Sequence, residues 1–434
     1  LQRRNGKMKI RKKDIQFFLV GCGLLFIPSL LRVGMLKSQW ALVNVLSWIG
    51  IILLTQRYYG GGRVVLSKDG SNGVANPLLI ITLIILFLIE GMMLPYFSAE
   101  SKIKYIYATI LPCYILYVSL PGQEIIRYFK MFAKLLTIAS TIVVVCGIFD
   151  IFIGTSIGKT IAEFSAADSL IESIRQGRMV SYFGHPLLTS EVMILCFSFN
   201  TLVNYCIEKK TVIETVYYSM VSVIGIGLCG SKTGLILIAI EFALLYVNKK
   251  GIKYFILVAA AVYWAYGYGL LDTVIGRFLE GFKSGDLTTG RNTALALLMR
   301  NGYLNFNFLM GHAGADLSER MIAALEYPPL RWAYLFGVWF SVLMCIILFL
   351  TPAIKILKNK NIKIFIVLII LILDVNSYNG ITTQSDQMLL YCVSVFLLLN
   401  LSYVVRGNEN EDMCSGTKPI YTRRYPTSCN YNFK

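Results

Sequence analysis

Nine side chains in three separated stretches have the types and spacing to do chemistry: Arg178, His185, Lys232, Arg277, Arg291, His312, Asp316, Glu326 and Arg331. The richest stretch, residues 276–331, also holds Lys283, Arg300 and Arg320 and contains one of only two histidines in the chain. Within it Thr288-Thr289-Gly290-Arg291-Asn292-Thr293 reads as a helix start, with the helix over 292–301. A cation in a first helical turn opposes the helix dipole, so Arg291 implies an anionic ligand or a buried acidic partner. Gly311-His312-Ala313-Gly314-Ala315-Asp316 reads as a flexible turn carrying an imidazole and a carboxylate, with His312 open to a plain turn role. Glu326 and Arg331 flank Pro328-Pro329 and could equally pair with each other.

The other two stretches are shorter. Arg175 and Arg178, three apart before Gly184-His185-Pro186, could clamp an anion if helical, or meet lipid head groups. His185-Pro186 also suits a helix start, where Pro is well tolerated. Cys229-Gly230-Ser231-Lys232-Thr233-Gly234 reads as a tight turn in which Ser231 caps the next helix and leaves N–H groups for an anion. Lys232 there could serve the anion or anchor a helix end at the interface. No P-loop, G-x-G-x-x-G, H-E-x-x-H or G-x-S-x-G is present. With two histidines and no D-x-D pair, no metal is expected.

The elements that must position these residues are membrane spans. The chain has 434 residues, of which 56% are hydrophobic and 15% charged. Apolar runs of about 18 residues read as spans. The runs over 15–31, 39–56, 77–94, 103–120, 133–153, 187–205, 213–229, 233–247, 252–275, 332–351, 362–380 and 387–405 predict an all-α polytopic membrane protein of about 12 transmembrane helices. No signal-peptide cleavage site is evident, and the first run reads as a start-transfer span. Ten cysteines include no C-x-x-C pair, and eight lie in or beside spans, where packing accounts for them.

Charge sets the orientation. The net charge of +17 would admit nucleic acid, but the positives lie in connectors between spans. With residues 1–14 as a cytoplasmic basic leader, 27 of the 41 lysines and arginines fall inside. Nine of the remaining 14 sit in two long loops, where charge has less say. The expectation is a bundle over 15–405 with extracytoplasmic loops at about 154–186 and 276–331, both termini cytoplasmic, and a disordered polar tail over 406–434. Ionisable residues inside spans are costly and functional by default. Glu90, Glu241 and Asp374 lie deep, Glu191 and Glu214 near span ends, and Asp374-Val375-Asn376-Ser377-Tyr378-Asn379 reads as lining a wet cavity.

This layout resembles the O-antigen polymerase and O-antigen ligase superfamily (Wzy-type and WaaL-type) of membrane glycosyltransferases. Arg178-Met179-Val180-Ser181-Tyr182-Phe183-Gly184-His185-Pro186 is similar to the family's arginine and Gly-x-Pro-like segment before a span. Gly230-Ser231-Lys232-Thr233-Gly234-Leu235 is similar to its Ser-Arg-x-Gly turn, with Lys in place of Arg, which keeps the charge without the bidentate fork. Gly290-Arg291 and Leu309-Met310-Gly311-His312-Ala313-Gly314 are similar to its Gly-Arg…Gly-x-Gly loop, and Glu326 to Gly337 to the segment before a late span. The resemblance covers about residues 170–350 by motif and the whole chain by layout. The ligases usually carry His-Asn where this chain has Glu326-Tyr327, which leans toward a repeat-unit polymerase.

The resemblance implies a bacterial cytoplasmic-membrane enzyme that polymerises undecaprenyl-diphosphate-linked oligosaccharides into O-antigen, capsule or exopolysaccharide by inverting transfer at the outer face. It implies Arg178, His185, Lys232, Arg277, Arg291 and Arg331 on the diphosphate and glycan, and Glu326 as base with His312 or Asp316 as substitutes. It also implies no cofactor. Its partners would be the lipid-linked glycan, membrane lipids, a chain-length regulator and a flippase, with no nucleic acid. The alternatives are ligase-type transfer to another acceptor, or a secondary transporter or lipid-linked glycan flippase; the deep acids suit a transporter and the long outer loops do not.

Overall fold

Lipid offers no hydrogen-bond partners, so a chain this apolar must satisfy its backbone internally, and helices do so. The computed structural model describes residues 14–59, 77–246, 259–285, 291–382 and 386–415, except 39, 40, 42, 95, 119, 121, 166, 167, 261, 264, 315, 316, 319, 320, 322, 323 and 379. Among them the protein is all-helical, with one isolated bridge between Ser181 and Gly184. The helices that carry the argument are α1 (Ile15–Phe26), α2 (Ser29–Leu36), α3 (Val45–Tyr59), α4 (Pro77–Met93), α5 (Ala99–Tyr105), α6 (Gly122–Phe152), α7 (Ser156–Ser165), α8 (Asp168–Arg175) and α9 (Pro186–Leu202). They continue with α10 (Val212–Cys229), α11 (Lys232–Tyr246), α12 (Asp272–Ser284), α13 (Arg291–Arg300), α14 (Pro328–Phe336), α15 (Val338–Cys345), α16 (Thr351–Lys358), α17 (Ile362–Val375) and α18 (Gln387–Ser415).

Among the described residues, five helical stretches are long and apolar enough to cross a membrane: Gly122–Phe152, Pro186–Ile207, Val212–Cys229, Val338–Lys358 and Gln387–Val405. A sixth arises if α1 and α2, bent by 76° at Pro28, count as one. The expected count of about twelve goes beyond what helix length carries. At about 1.5 Å per residue, the 14 residues of α17 fall short of the roughly 30 Å hydrocarbon core. The expected span over 252–275 begins outside the described residues, which take it up from 259. α18 runs on to Ser415, into the expected tail, and residues 416–434 lie outside those described.

Exposure separates the uncovered apolar faces from the packed ones. On α4 the exposed Ile81, Ile85, Leu88, Ile89 and Met92 form one stripe, while Leu83, Phe87 and Glu90 are buried on the other side. On α6 the exposed stripe is Ile138, Ile142, Val145, Phe149 and Phe152. Continuous apolar stripes of this kind suit hydrocarbon and are rare on soluble proteins. The span built on α9 is 94% buried, against 44% for the α6 span, so α9 is the axis of the bundle. Phe129 stacks on its Phe199 at 4.6 Å, and Phe197 meets Phe242 of α11 at 6.0 Å.

A buried ion pair ties the bend of α1–α2 to the start of α18. Arg32 donates to both oxygens of Asp386 at 2.8 and 2.9 Å and to the carbonyls of Ile27 and Ala41 at 2.5 and 2.8 Å. Asn44 adds a bond to Asp386 at 3.0 Å.

Both long loops are folded. In the first, Asp150 at the end of α6 accepts from the N–H groups of Ile157 and Gly158 at 2.7 and 3.1 Å, satisfying the free donors that start α7. Arg175 closes α8 and pairs with Glu172 at 3.5 Å, and the chain then turns at Gly177 (φ 70°) before Arg178. The expected two-arginine clamp therefore does not form, because the two residues do not share a helix.

The second loop carries α12, then α13, described from Arg291 on and covering the stretch predicted as a helix. Residues 303–314 strap across the break between α14 and α15. Gly337 opens that break, and the free N–H groups of Val338 and Trp339 donate to the carbonyls of Asn307 and Phe308 at 3.0 and 3.3 Å. Glu90 of α4 accepts from the Gly311 N–H at 2.9 Å, which makes this deep acid a loop anchor.

The glycines here serve close packing, which corrects the expected flexible turn. A Cβ on Gly311 would lie 2.0 Å from the Leu335 carbonyl group, and one on Gly314 would lie 2.2 Å from the Tyr96 oxygen. Gly311→Ala should lift the strap and cost about 1–3 kcal/mol. Limited proteolysis checks this: cleavage within 303–314 should accelerate, and an unchanged digestion pattern would contradict the packing role.

Candidate functional site

The site is built where α10 ends. Its C-terminal carbonyls have no helical partners and carry the negative end of the dipole, so cations gather there. Arg178 donates from Nε to the Cys229 carbonyl at 3.0 Å, and Arg277 of α12 donates from Nη1 to the Gly230 carbonyl. Gly230 itself takes φ 62°, the left-handed value that ends α10. The next helix starts at once, and Ser231 caps it as expected, accepting from Gly234 N at 3.1 Å. Lys232 is the half-buried first residue of α11.

Arg291, the first residue of α13, reaches the same place. Its Nε pairs with Glu326, and its Nη1 donates to the Ser377 carbonyl at 2.5 Å. The acidic partner implied by its position in the first turn is thus Glu326, which takes Arg291 and not Arg331. Tyr327, next to Glu326, donates to Asn292 Oδ1 at 2.8 Å and holds that chain segment to α13.

These groups feel one another. Burial, followed by the charges of Arg277 and Arg291, lowers the Arg178 pKa to about 10, with Cys229 and Glu326 opposing. Arg277 is lowered by burial and by Arg291, while Glu280 opposes. Arg178 is only 8% exposed, and its Nη2 is buried without a hydrogen-bond partner among the described residues. A buried guanidinium left partly unsatisfied beside two others is costly unless an anion completes it.

His185 lies on the wall of this site. It is open to solvent by area yet densely surrounded by protein, as a residue lining a recess is. It caps α9, its Nδ1 accepting from Leu187 N at 3.3 Å, so the hydrogen of the neutral ring sits on Nε2. Burial first, then Arg178, Arg291 and Arg277, push its pKa down to about 4. His185 is therefore a neutral donor at ordinary pH. Because the folded pKa lies below the unfolded one, this group costs no stability above about pH 6.5 and an increasing amount as pH falls toward about 4. His185→Gln should remove that acid-side loss, and thermal unfolding of the two proteins should diverge only below about pH 6.5. Parallel curves over that range would contradict the placement.

The remaining expected residues lie elsewhere or apart. His312 stacks on Tyr334 at 4.7 Å, and its Nε2 faces the Asn305 carbonyl at 3.2 Å. Arg331, on α14, acts electrostatically on Tyr105 of α5, and its Nε is buried without a hydrogen-bond partner among the described residues. Neither shows an interaction with the three arginines. Asp316 lies outside the described residues. Among those described, no group of three or more His, Cys, Asp or Glu gathers as a metal site.

Sequence reasoning missed the carbonyls of Cys229, Gly230 and Ser377, since main-chain acceptors leave no mark in residue types. It also expected a wet cavity after Asp374, and it left open that Glu191, near the start of α9, packs into the core. Glu191, Asp374 and Tyr378 are instead buried, at 1%, 3% and 4% exposure. Comparison with protein-family models, characterised proteins and solved structures finds no match for this chain.

Proposed function

We propose that the protein is a membrane glycosyltransferase that polymerises lipid-diphosphate-linked oligosaccharide repeats, undecaprenyl diphosphate being the carrier, at the outer face of a bacterial cytoplasmic membrane. One observation carries the reading. Arg178, Arg277 and Arg291, far apart in sequence, converge on one recess beside a neutral histidine, with Glu326 as the carboxylate paired there. A diphosphate supplies the anion such a site lacks. The helix starts at His185 and Lys232 add their own positive ends.

In the reaction, an acceptor-glycan hydroxyl attacks the anomeric carbon of the donor with inversion. The new C–O bond forms as the bond to the diphosphate oxygen breaks, and the lipid diphosphate leaves with the electron pair. Arg178, Arg277 and Arg291 stabilise the charge that develops on it, and Nε2–H of His185 donates to the same group. The hydroxyl proton goes to Glu326. The ion pair uses its Oε2 and leaves Oε1 for that proton. His312 packs against Tyr334 and Asp316 falls outside the described region, so Glu326 is the base of choice. Lys232 completes the positive rim.

Twelve crossings with both termini inside remain the topology that fits the charge distribution, and this topology places the recess outside, where nucleotide sugars are not supplied. Purified protein in lipid nanodiscs with lipid-linked repeat units should give a ladder of products. Transfer of a single unit to a core acceptor would indicate a ligase. Transbilayer movement of the lipid-linked unit without any product would overturn the reading in favour of a flippase.

A further inference from the structure

Beside the arginine recess lies a polar knot with no assigned role. Asp374 stands in the last turn of α17, and the chain turns back through Asn376 and Ser377, with Ser377 N donating to the Asp374 carbonyl at 2.9 Å. Tyr378 folds inward and its hydroxyl donates to Glu191 on the axial helix α9. Gln387 Nε2, at the start of α18, donates to the same hydroxyl oxygen at 3.4 Å. The ring is held close: a Cβ on Gly380 would stand 2.3 Å from its Cε2. Asp374 Oδ2 has no hydrogen-bond partner among the described residues.

Such a knot is a poor way to gain stability, since apolar residues of similar size would fill the space without burying two carboxyl groups. Its place in the chain suggests another purpose. The Ser377 carbonyl and the Tyr378 nitrogen belong to one planar peptide unit. Fixing Tyr378 therefore fixes the direction of that carbonyl, and the carbonyl is the acceptor for Arg291 Nη1. With Nε on Glu326 and Nη1 on Ser377, the guanidinium plane is set from two sides, and Nη2 is the arm left for a ligand.

We propose that Tyr378 is a positioning residue for Arg291, acting through the Ser377 carbonyl and held by its hydroxyl bond to Glu191. This rests on the reading of Arg291 as a diphosphate-binding residue. The charged and titratable groups that bear on Tyr378 are Glu191 from α9 and Asp374 from α17, and Arg291 reaches it through Ser377. Tyr391 of α18 also feels Glu191.

The test uses the full chain in nanodiscs and two readouts: affinity for inorganic pyrophosphate, and turnover of lipid-linked repeats. Tyr378→Phe keeps the ring and removes the hydroxyl. Turnover should fall by about 10–100-fold, as small misplacements of a catalytic group do, with kcat changing more than KM. Glu191→Gln keeps an acceptor for the hydroxyl and should retain most activity, whereas Glu191→Leu should behave as Tyr378→Phe does. This pair also serves if Tyr378→Phe fails to fold. Adding Tyr378→Phe to Arg291→Lys should cost little more than Arg291→Lys alone, because the two act through one contact.

Parental turnover in Tyr378→Phe, equal turnover in the Gln and Leu variants, or fully multiplicative losses would overturn the proposal. If Arg291→Ala leaves both pyrophosphate affinity and turnover unchanged, the reading of the whole site fails. If Arg291→Ala impairs both and Tyr378→Phe impairs neither, only the positioning role fails.

Discussion

Arg291→Ala should lower the proposed glycosyl transfer by about 10²–10³-fold, the usual loss when one preorganised donor to a developing negative charge is removed. Arg291 has two fixed contacts, Glu326 and the Ser377 carbonyl, and so is oriented before substrate arrives. Its loss also frees Glu326, the carboxylate assigned to take the acceptor proton, so positioning and proton transfer suffer together. Arg291→Lys should recover little, since one ammonium cannot replace the planar fork across two acceptors and a ligand. Product length on lipid-linked repeats checks this at matched protein levels in the membrane. Long polymer from Arg291→Ala would remove the residue from the mechanism.

The second large effect concerns stability. Arg32 and Asp386 form a buried, bidentate pair at the bend between α1 and α2, with side chains about one-tenth exposed. Removing one partner strands the other charge in a low-dielectric interior, which costs about 3–5 kcal/mol. Arg32→Ala should therefore lower the midpoint of thermal unfolding in detergent markedly. Replacing both residues together, as Arg32→Met with Asp386→Leu, should recover much of the loss, because no unpaired charge remains. Equal destabilisation by the single and the double change would mean that the Ile27 and Ala41 carbonyls matter more than the ion pair.

Much of the bundle was legible because its signals are local. Apolar runs marked the helices, and Ser231 was placed at a helix start from the residues around it. Helix length was less legible: α17 stops at Val375, where the polar segment after Asp374 turns back, short of the predicted 380. Arg178, His185, Arg277, Arg291 and Glu326 could be listed as charged or polar residues in the long loops, yet their meeting depends on contacts across up to about 150 residues of sequence. His312 illustrates the opposite case. A histidine in a glycine-rich turn looks reactive, but the glycines serve a tight crossing over Leu335 and the ring stacks on Tyr334. Glu90 looked like a coupling acid because deep carboxylates often are. Its partner, the Gly311 N–H, lies 221 positions away, beyond any local pattern.

The end of α10 has a consequence for how such a site changes over evolution. Arg178 and Arg277 are held there by main-chain carbonyls of Cys229 and Gly230, which every residue type possesses. Substitution at position 229 alters a side chain while leaving its arginine anchor in place, so long as the helix still ends at a left-handed residue. Sequence around the anchors can drift widely while the geometry of the cations persists. A distant relative would then be recognised by where its arginines fall relative to helix ends, with little else in common.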